Sequence, residues 1–330
     1  MKVAIIGAGI TGLYLAKKLS EKNINVTVFE KEKGIPKKAC SGLVSERILD
    51  FLPEAERLIE NKIDFSLIKF PKKTIKVYFS KKFFVIGHFK LNQLLFELVK
   101  KKRIKIFFGY DVKPLTILTL KKAFDRIIGC DGSNSKVRKF LKLEEPELYL
   151  GIQGFLNEKD YSNFVETWPT PPQNFCGGGF FWKIPRGKNV EYGIIEKPKE
   201  ARKIFENFLK ERDLKLERVN SAIIPHAPTP KFWLWGQGFS IPKNEKITLC
   251  GDAAGLTKPW SGGGIVWGLM ASDLLLKNFP DFLKYQREMK KFFSLNVLFS
   301  KFAKNLVYFL GFKFPFLLPK KFKIDGDFLI

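Results

Sequence analysis

Cysteine, histidine and acid are all scarce in this chain of 330 residues. Four cysteines with no CxxC pair provide neither a disulfide scaffold nor a Cys-type zinc site, and such usage suits a reducing cytoplasm. The two histidines read as structural: His88 sits between Gly87 and Phe89, and His226 opens a Pro-rich stretch after Pro225. Acid is outnumbered, with 33 Asp plus Glu against 58 Lys plus Arg, a formal charge of +25. Long apolar runs are missing as well. A membrane span needs about 18 consecutive apolar residues, whereas the longest uncharged run, 167–182, is broken by Pro, Gly and polar groups. The apolar stretch after Lys2 lacks an A-x-A cleavage site and carries glycines at 7, 9 and 12, so it is expected to belong to the mature fold.

What is present excludes disorder. Hydrophobic residues make up 45% and aromatics 15% of the chain, which is enough apolar material to build a core despite the charge. The length allows one large domain or two joined ones, at about 100–200 residues each. The positive charge admits nucleic-acid binding, attraction to an anionic membrane or substrate, or a general drift toward lysine on solvated faces. The tail separates these readings. Eleven of the 34 Phe fall in residues 281–330, together with ten Lys or Arg and four Asp or Glu. Apolar and basic character rising together suit a helix lying on an anionic lipid surface better than one reading nucleic acid.

Hydrophobic periodicity predicts a buried strand over 2–6, a helix over 10–22 and a second strand over 25–29, which is one βαβ unit. Further strands are predicted at 65–70, 74–79, 83–86, 104–108, 115–120 and 125–130, with a helix at 91–102. The middle of the chain changes character. Pro169, Pro171 and Pro172 interrupt it, 180–184 and 190–195 read as antiparallel strands, and 201–212 reads as a helix. A buried strand returns at 246–249, followed by a helix over 262–277 and a tail that is helical to about Gly311.

Gly7-x-Gly9-x-x-Gly12 follows the first strand and opens the first helix. In that context the triplet is a dinucleotide fingerprint: a tight turn, close backbone approach to a pyrophosphate, and a helix N-terminus aimed at it. Ile10, Thr11 and Lys31 flank the same contact. Glu30, at the end of the second strand, is placed to accept hydrogen bonds from the adenosine ribose. Two more glycine-acid turns end apolar strands, Gly129-x-Asp131-Gly132 and Gly251-Asp252-Ala253-Ala254-Gly255. Acids there can hold the hydroxyls of a ribityl chain, and a glycine-led helix start can stabilise negative charge on a reduced flavin. The dinucleotide is therefore read as FAD.

Together these motifs resemble the FAD-dependent para-hydroxybenzoate-hydroxylase-like superfamily. Lys38-Ala39-Cys40-Ser41-Gly42-Leu43-Val44 and Pro259-x-x-Gly262-Gly263-Gly264-Ile265 narrow the resemblance to geranylgeranyl reductases of the digeranylgeranylglycerophospholipid type. The Tyr-x-Trp-x-Phe-Pro motif of that family is represented by Phe180-Phe181-Trp182-Lys183-Ile184-Pro185, and Lys90 stands where the family usually has arginine. The resemblance implies saturation of isoprenoid double bonds, with FAD delivering hydride. It also implies that Cys40 faces the flavin as proton donor or positioning group, although a lone Cys can equally be a small buried hydrophobe. Ser41, Gly42, Lys90, Val112 and Gly262 to Ile265 would contact FAD, while Phe180, Trp182 and Pro259 would line the lipid site.

The expected fold class is α/β: a Rossmann-type FAD-binding domain (1–147 plus 225–280), an inserted antiparallel-sheet substrate domain (148–224) and a helical, Phe- and Lys-rich C-terminal segment (281–330). No second Gly-x-Gly-x-x-Gly follows a strand, so the electron donor is expected to be transiently docked NAD(P)H or a ferredoxin. Two other functions fit less of the chain: a flavin monooxygenase of an aromatic or quinone-like substrate, and a non-catalytic basic membrane- or nucleic-acid-binding module. The expected setting is cytoplasmic, with peripheral contact to anionic membrane, an isoprenoid lipid substrate, no metal and no nucleic acid.

Overall fold

The computed structural model describes residues 1–102, 104–172, 178–226 and 244–329. The chain begins β1 (Lys2–Ile6), α1 (Ile10–Glu21), β2 (Asn25–Phe29), β3 (Leu43–Ser45), α2 (Ile48–Phe51), β4 (Ile59–Phe70) and β5 (Lys73–Ile86). It continues with α3 (His88–Lys100), β6 (Lys105–Phe107), α4 (Pro114–Ala123), β7 (Arg126–Gly129), α5 (Lys136–Phe140), β8 (Leu148–Leu156) and β9 (Phe164–Pro169). Then come β10 (Phe180–Pro185), β11 (Val190–Glu196), α6 (Pro198–Glu211), β12 (Glu217–Pro225), β13 (Ile247–Leu249), α7 (Ile265–Asn278), α8 (Phe282–Lys313) and β14 (Lys321–Ile324).

Packing divides the chain into two compact units. The first comprises Met1–Lys37, Phe89–Glu147 and Pro225–Leu298. Its parallel sheet has the order β13-β7-β1-β2-β6. β1 and β2 bury four consecutive residues each, as strands covered on both faces must. Helix α1 crosses between them and is tied to α7 by Tyr14, whose hydroxyl donates to Asp273 Oδ1 at 2.7 Å.

The second unit comprises Lys38–His88, Leu148–Ile224 and Phe299–Ile330. It therefore takes in 38–88, which the sequence-based division left with the nucleotide-binding part. Its sheet runs β12-β8-β11-β10-β9-β4-β5-β14, with β3 added against β5. Alternation along β10 sends successive residues to opposite faces. Phe181 stacks on Phe208 of α6, ring centroids 4.1 Å apart, while Trp182 joins Ile63, Phe83, Val85 and Ile184 on the other side.

Among the departures from sequence expectation, the following concern single elements. Residues 115–120, expected as a strand, lie inside helix α4: Pro114 occupies its first turn, where a missing N–H costs nothing, and Ile117 and Leu120 are buried three apart on one face. The strands expected at 74–79 and 83–86 are one continuous strand, β5. Strand β14, which pairs parallel to β5, had no counterpart in the expected tail. It is anchored by Arg47, which donates to Asp325 and Asp327.

Candidate functional site

In the first unit the fingerprint turn is built as the spacing requires. Gly7 has φ +105°, and a Cβ there would meet Cys130 O at 2.3 Å; one on Gly12 would meet Gly7 O at 2.0 Å. Gly9 differs. It caps α1, and nothing lies within 4 Å of where its Cβ would be, which leaves the backbone open to a close ligand. Glu30 is 4% exposed; its carboxylate accepts from Ala8 N–H at 2.7 Å and Glu32 N–H at 2.9 Å. That anchors the acid against the glycine turn, and each oxygen keeps lone-pair capacity for a ribose hydroxyl. A turn with Gly7 and Gly12 filled, Gly9 open and a buried acid alongside fits the adenosine diphosphate half of FAD.

The side chains flanking this turn do different things. Ile10 is buried, and Thr11 occupies space that Gly251 and Gly268 leave: a Cβ on either would come within 2.9 Å of Thr11 Oγ1. Lys31 is exposed beside Glu32, Lys90 is exposed on α3, and Val112 is 3% exposed.

The other two glycine-acid turns are also in this unit, and Arg138 joins them. Fully buried, its guanidinium donates to Ser133 O at 2.6 Å and Ala253 O at 2.9 Å, and pairs with Glu145. Asp131 is turned toward α5, accepting from Ser135 Oγ–H and Lys136 N–H, so its carboxylate orders the turn from within. Burial pushes the Asp131 carboxyl up, opposed by those hydrogen bonds. Gly132 has φ +78°, with nothing within 4 Å of the Cβ position.

After the third turn, Gly255 (φ +72°) leads into a second closed loop. Lys258 N–H donates to Gly263 O, and Lys258 O accepts from Gly262 N–H at 2.8 Å. A Cβ on Gly264 would stand 2.6 Å from Asp252 Oδ1, so a side chain at 264 would displace the acid. Ile265 begins α7, three residues after the start expected from sequence. Pro259 is buried, and its carbonyl lies 2.9 Å from His226 Nε2. Lys258 is 4% exposed, with its ammonium 5.9 Å from the Trp260 ring; nothing in its sequence surroundings marks it as buried.

In the second unit, Cys40, Ser41 and Gly42 form a held loop. Gly42 has φ +67°, and a Cβ there would overlap Ile86 O at 1.9 Å. Gly42 N–H donates to Cys40 Sγ at 3.5 Å, and Gln153 Nε2–H donates to Cys40 O at 3.3 Å. Arg186 donates to Ser41 O at 2.6 Å and to Glu191 at 2.7 Å, and pairs with Glu60 at 2.7 Å. Glu191, fully buried, also accepts from Trp182 Nε1–H at 2.9 Å. Burial pushes the Glu191 carboxyl up, with Arg186 and Trp182 pulling it back.

The lipid-lining expectations land unevenly. Trp182 is 8% exposed, its indole packed over Gly193 in the core, so the structure gives it a structural contact through Glu191. Phe180 is half-buried against the same cluster. Sequence reasoning missed Arg186, Glu191, Glu60 and Gln153 as a group. The one available signal was a pair of opposite charges flanking the β10–β11 turn.

Cys40 is half-buried, whereas Cys130 and Cys250 are buried and their thiols are pushed up by that burial. Since the thiolate is the reactive form, iodoacetamide should modify Cys40 in the native protein and leave Cys130 and Cys250 untouched until unfolding. Peptide mass spectrometry reads this directly, and native labelling of Cys130 would contradict it.

Comparison with known proteins finds similarity in sequence and in fold. The family described as NAD(P)-binding Rossmann-like domain matches residues 5–36. A digeranylgeranylglycerophospholipid reductase of Methanothrix thermoacetophila is 23% identical over 82% of this chain and 75% of its own length. Among solved structures, a geranylgeranyl bacteriochlorophyll reductase-like protein of Thermoplasma acidophilum superposes with a TM-score of 0.71 at 16% identity, covering 93% of this chain and 87% of the other. A halogenase variant in complex with FAD gives a TM-score of 0.68 at 12% identity, over 95% and 77%. In sequence the chain is similar to a digeranylgeranylglycerophospholipid reductase, and its α/β fold is one it shares with a geranylgeranyl bacteriochlorophyll reductase-like protein and an FAD-bound halogenase.

Proposed function

We propose that the chain reduces isoprenoid double bonds of a geranylgeranyl-type lipid. The observation that carries this reading is the held cysteine loop: a Cys-Ser-Gly segment fixed by Gly42, Gln153 and a buried arginine, in a chain related to a reductase of that substrate class. Saturating an isolated alkene requires hydride at one carbon and a proton at the other; FAD, once reduced by an external donor, would supply the hydride. Everything else falls to the polypeptide. Gly7, Gly9, Gly12 and Glu30 would hold the adenosine end of the cofactor, and Asp252 with Gly262, Gly263 and Gly264 its flavin end. Cys40 is the proposed proton donor or positioning group. The Arg186 contact to Ser41 O and the Gln153 contact to Cys40 O tie that loop to the sheet. NAD(P)H or an acidic ferredoxin would serve as donor, the latter attracted by the chain's positive charge.

The test is direct. Chemically reduced protein, incubated anaerobically with a digeranylgeranylglycerol phosphate lipid, should yield product heavier by two hydrogens per double bond. No mass gain, or instead NAD(P)H oxidation in air with hydroxylation of an aromatic compound, would replace this reading with that of a monooxygenase.

A further inference from the structure

Helix α8 extends over 32 residues and carries two faces of different fate. One is buried. Phe282, Tyr285, Met289, Phe293 and Val297 recur at spacings of three and four and are each no more than 1% exposed. Further along, Gly311 presses against the Phe70 ring and Tyr308 O–H donates to Gly179 O at 2.8 Å, continuing the anchored side. The other face is apolar and exposed. Phe292, Leu295, Phe299, Phe302, Leu306 and Phe309 follow one another at intervals of three and four, with exposures from 42% to 66%. At 100° per residue these six fall within one narrow stripe, about 26 Å long at 1.5 Å rise per residue. Just beyond the helix, Phe316 and Leu317 are exposed at 75% and 59%.

Contiguous exposed apolar surface of this kind marks an interface. Charge decides between the candidate occupants. From residue 289 to 324 there is no Asp or Glu, while Lys290, Lys291, Lys301, Lys304, Lys313, Lys320, Lys321 and Lys323 lie in the same interval. Lys291 stands exposed at one end of the stripe, and Lys313, Lys320 and Lys321 at the other. A second copy seated on this face would bring lysines to lysines with no acid to pair them. An anionic lipid surface supplies the opposite charge at headgroup level and hydrocarbon beneath it. No helix among the described residues is long and apolar enough to cross a membrane, so the contact is one of lying on the surface.

We infer that the exposed stripe of α8, with the Phe316–Leu317 turn, seats the protein on an anionic bilayer. This stands independently of which lipid is reduced. In flotation assays the full chain should bind vesicles of phosphatidylglycerol and phosphatidylcholine, bind phosphatidylcholine alone at least about tenfold more weakly, and lose affinity with added salt. The double substitution Phe299→Glu/Phe302→Glu alters two residues already facing water. It should cut vesicle binding at least about tenfold while melting temperature and FAD content stay unchanged. A second variant, Lys313→Glu/Lys320→Glu/Lys321→Glu, should flatten the salt dependence without touching the apolar face. Unchanged vesicle binding in both variants, or no binding by the native chain, overturns the inference. So does a dimer in light scattering that Phe302→Glu converts to monomer, since a second copy would then own the stripe.

Discussion

Arg186→Met should unfold far more easily than the native protein, by about 3–5 kcal/mol, because it strands a carboxylate that no other cation among the described residues pairs with. Glu191 is fully buried, and its carboxylate also accepts from the neutral indole N–H of Trp182. Burial already pushes its carboxyl above the ordinary value, and Arg186 supplies the largest opposing pull. Removing that pull raises it further. An acid whose folded pKa lies above its unfolded one stabilises the fold fully below the unfolded value, and that contribution is lost as pH rises through the folded value. The deficit of Arg186→Met should therefore be largest in alkaline buffer and shrink in acid. Urea unfolding at several pH values measures this. A deficit independent of pH would show that Glu191 is not the stranded group. Adding Glu191→Gln, which removes the charge and keeps the shape, should recover a substantial part of the loss. Because Arg186 also holds Ser41 O, the single variant should speed Cys40 alkylation as well, a readout that bulk destabilisation below the melting point would not produce.

Gly9→Ala and Gly12→Ala should separate the two jobs of the fingerprint. At Gly12 the added methyl meets the Gly7 carbonyl at 2.0 Å, a backbone group with no flexible end to yield, so the apo protein itself should lose stability and take up no FAD. At Gly9 the methyl meets nothing within 4 Å. The apo protein should melt as before, yet FAD affinity should fall at least about tenfold, or 1.4 kcal/mol, because the methyl occupies the space through which a pyrophosphate reaches the amides of α1. Differential scanning fluorimetry without and with FAD, together with flavin absorbance after desalting, reads both quantities. If Gly9→Ala retained full affinity, the pyrophosphate would not pass over this turn.

The nucleotide half of the molecule was legible because its signals are local. Gly7, Gly9, Gly12 and Glu30 lie within one βαβ unit, and their spacing alone dictates the turn, the helix start and the acid at the strand end. The same holds for Gly129 to Gly132 and Gly251 to Gly255. What the sequence left unread depends on contacts between distant positions. Arg186 meets Ser41 and Glu60 across more than a hundred residues, and Gln153 meets Cys40 likewise. No periodicity encodes such pairs; they arise when β10 and β11 are aligned in a sheet that also holds 38–88. Residues 115–120 were misread for a different reason. All six are Leu, Ile or Thr, a short run that reads as a buried strand by composition, but Pro114 sets the dihedral of a first helical turn and wins locally. Trp182 shows the limit of reading function from residue type: its ring is core, and its polar atom is spent on Glu191.

The buried guanidinium of Arg138 has a bearing on how such proteins can be altered. By grasping Ser133 O and Ala253 O at once, it fixes the gap between two loops whose strands are far apart in the chain. Neither loop can be lengthened or exchanged alone without tearing one grip. Grafting a relative's loop into this scaffold should succeed only when both loops and the residue at 138 travel together, making three separate stretches of sequence a single heritable part.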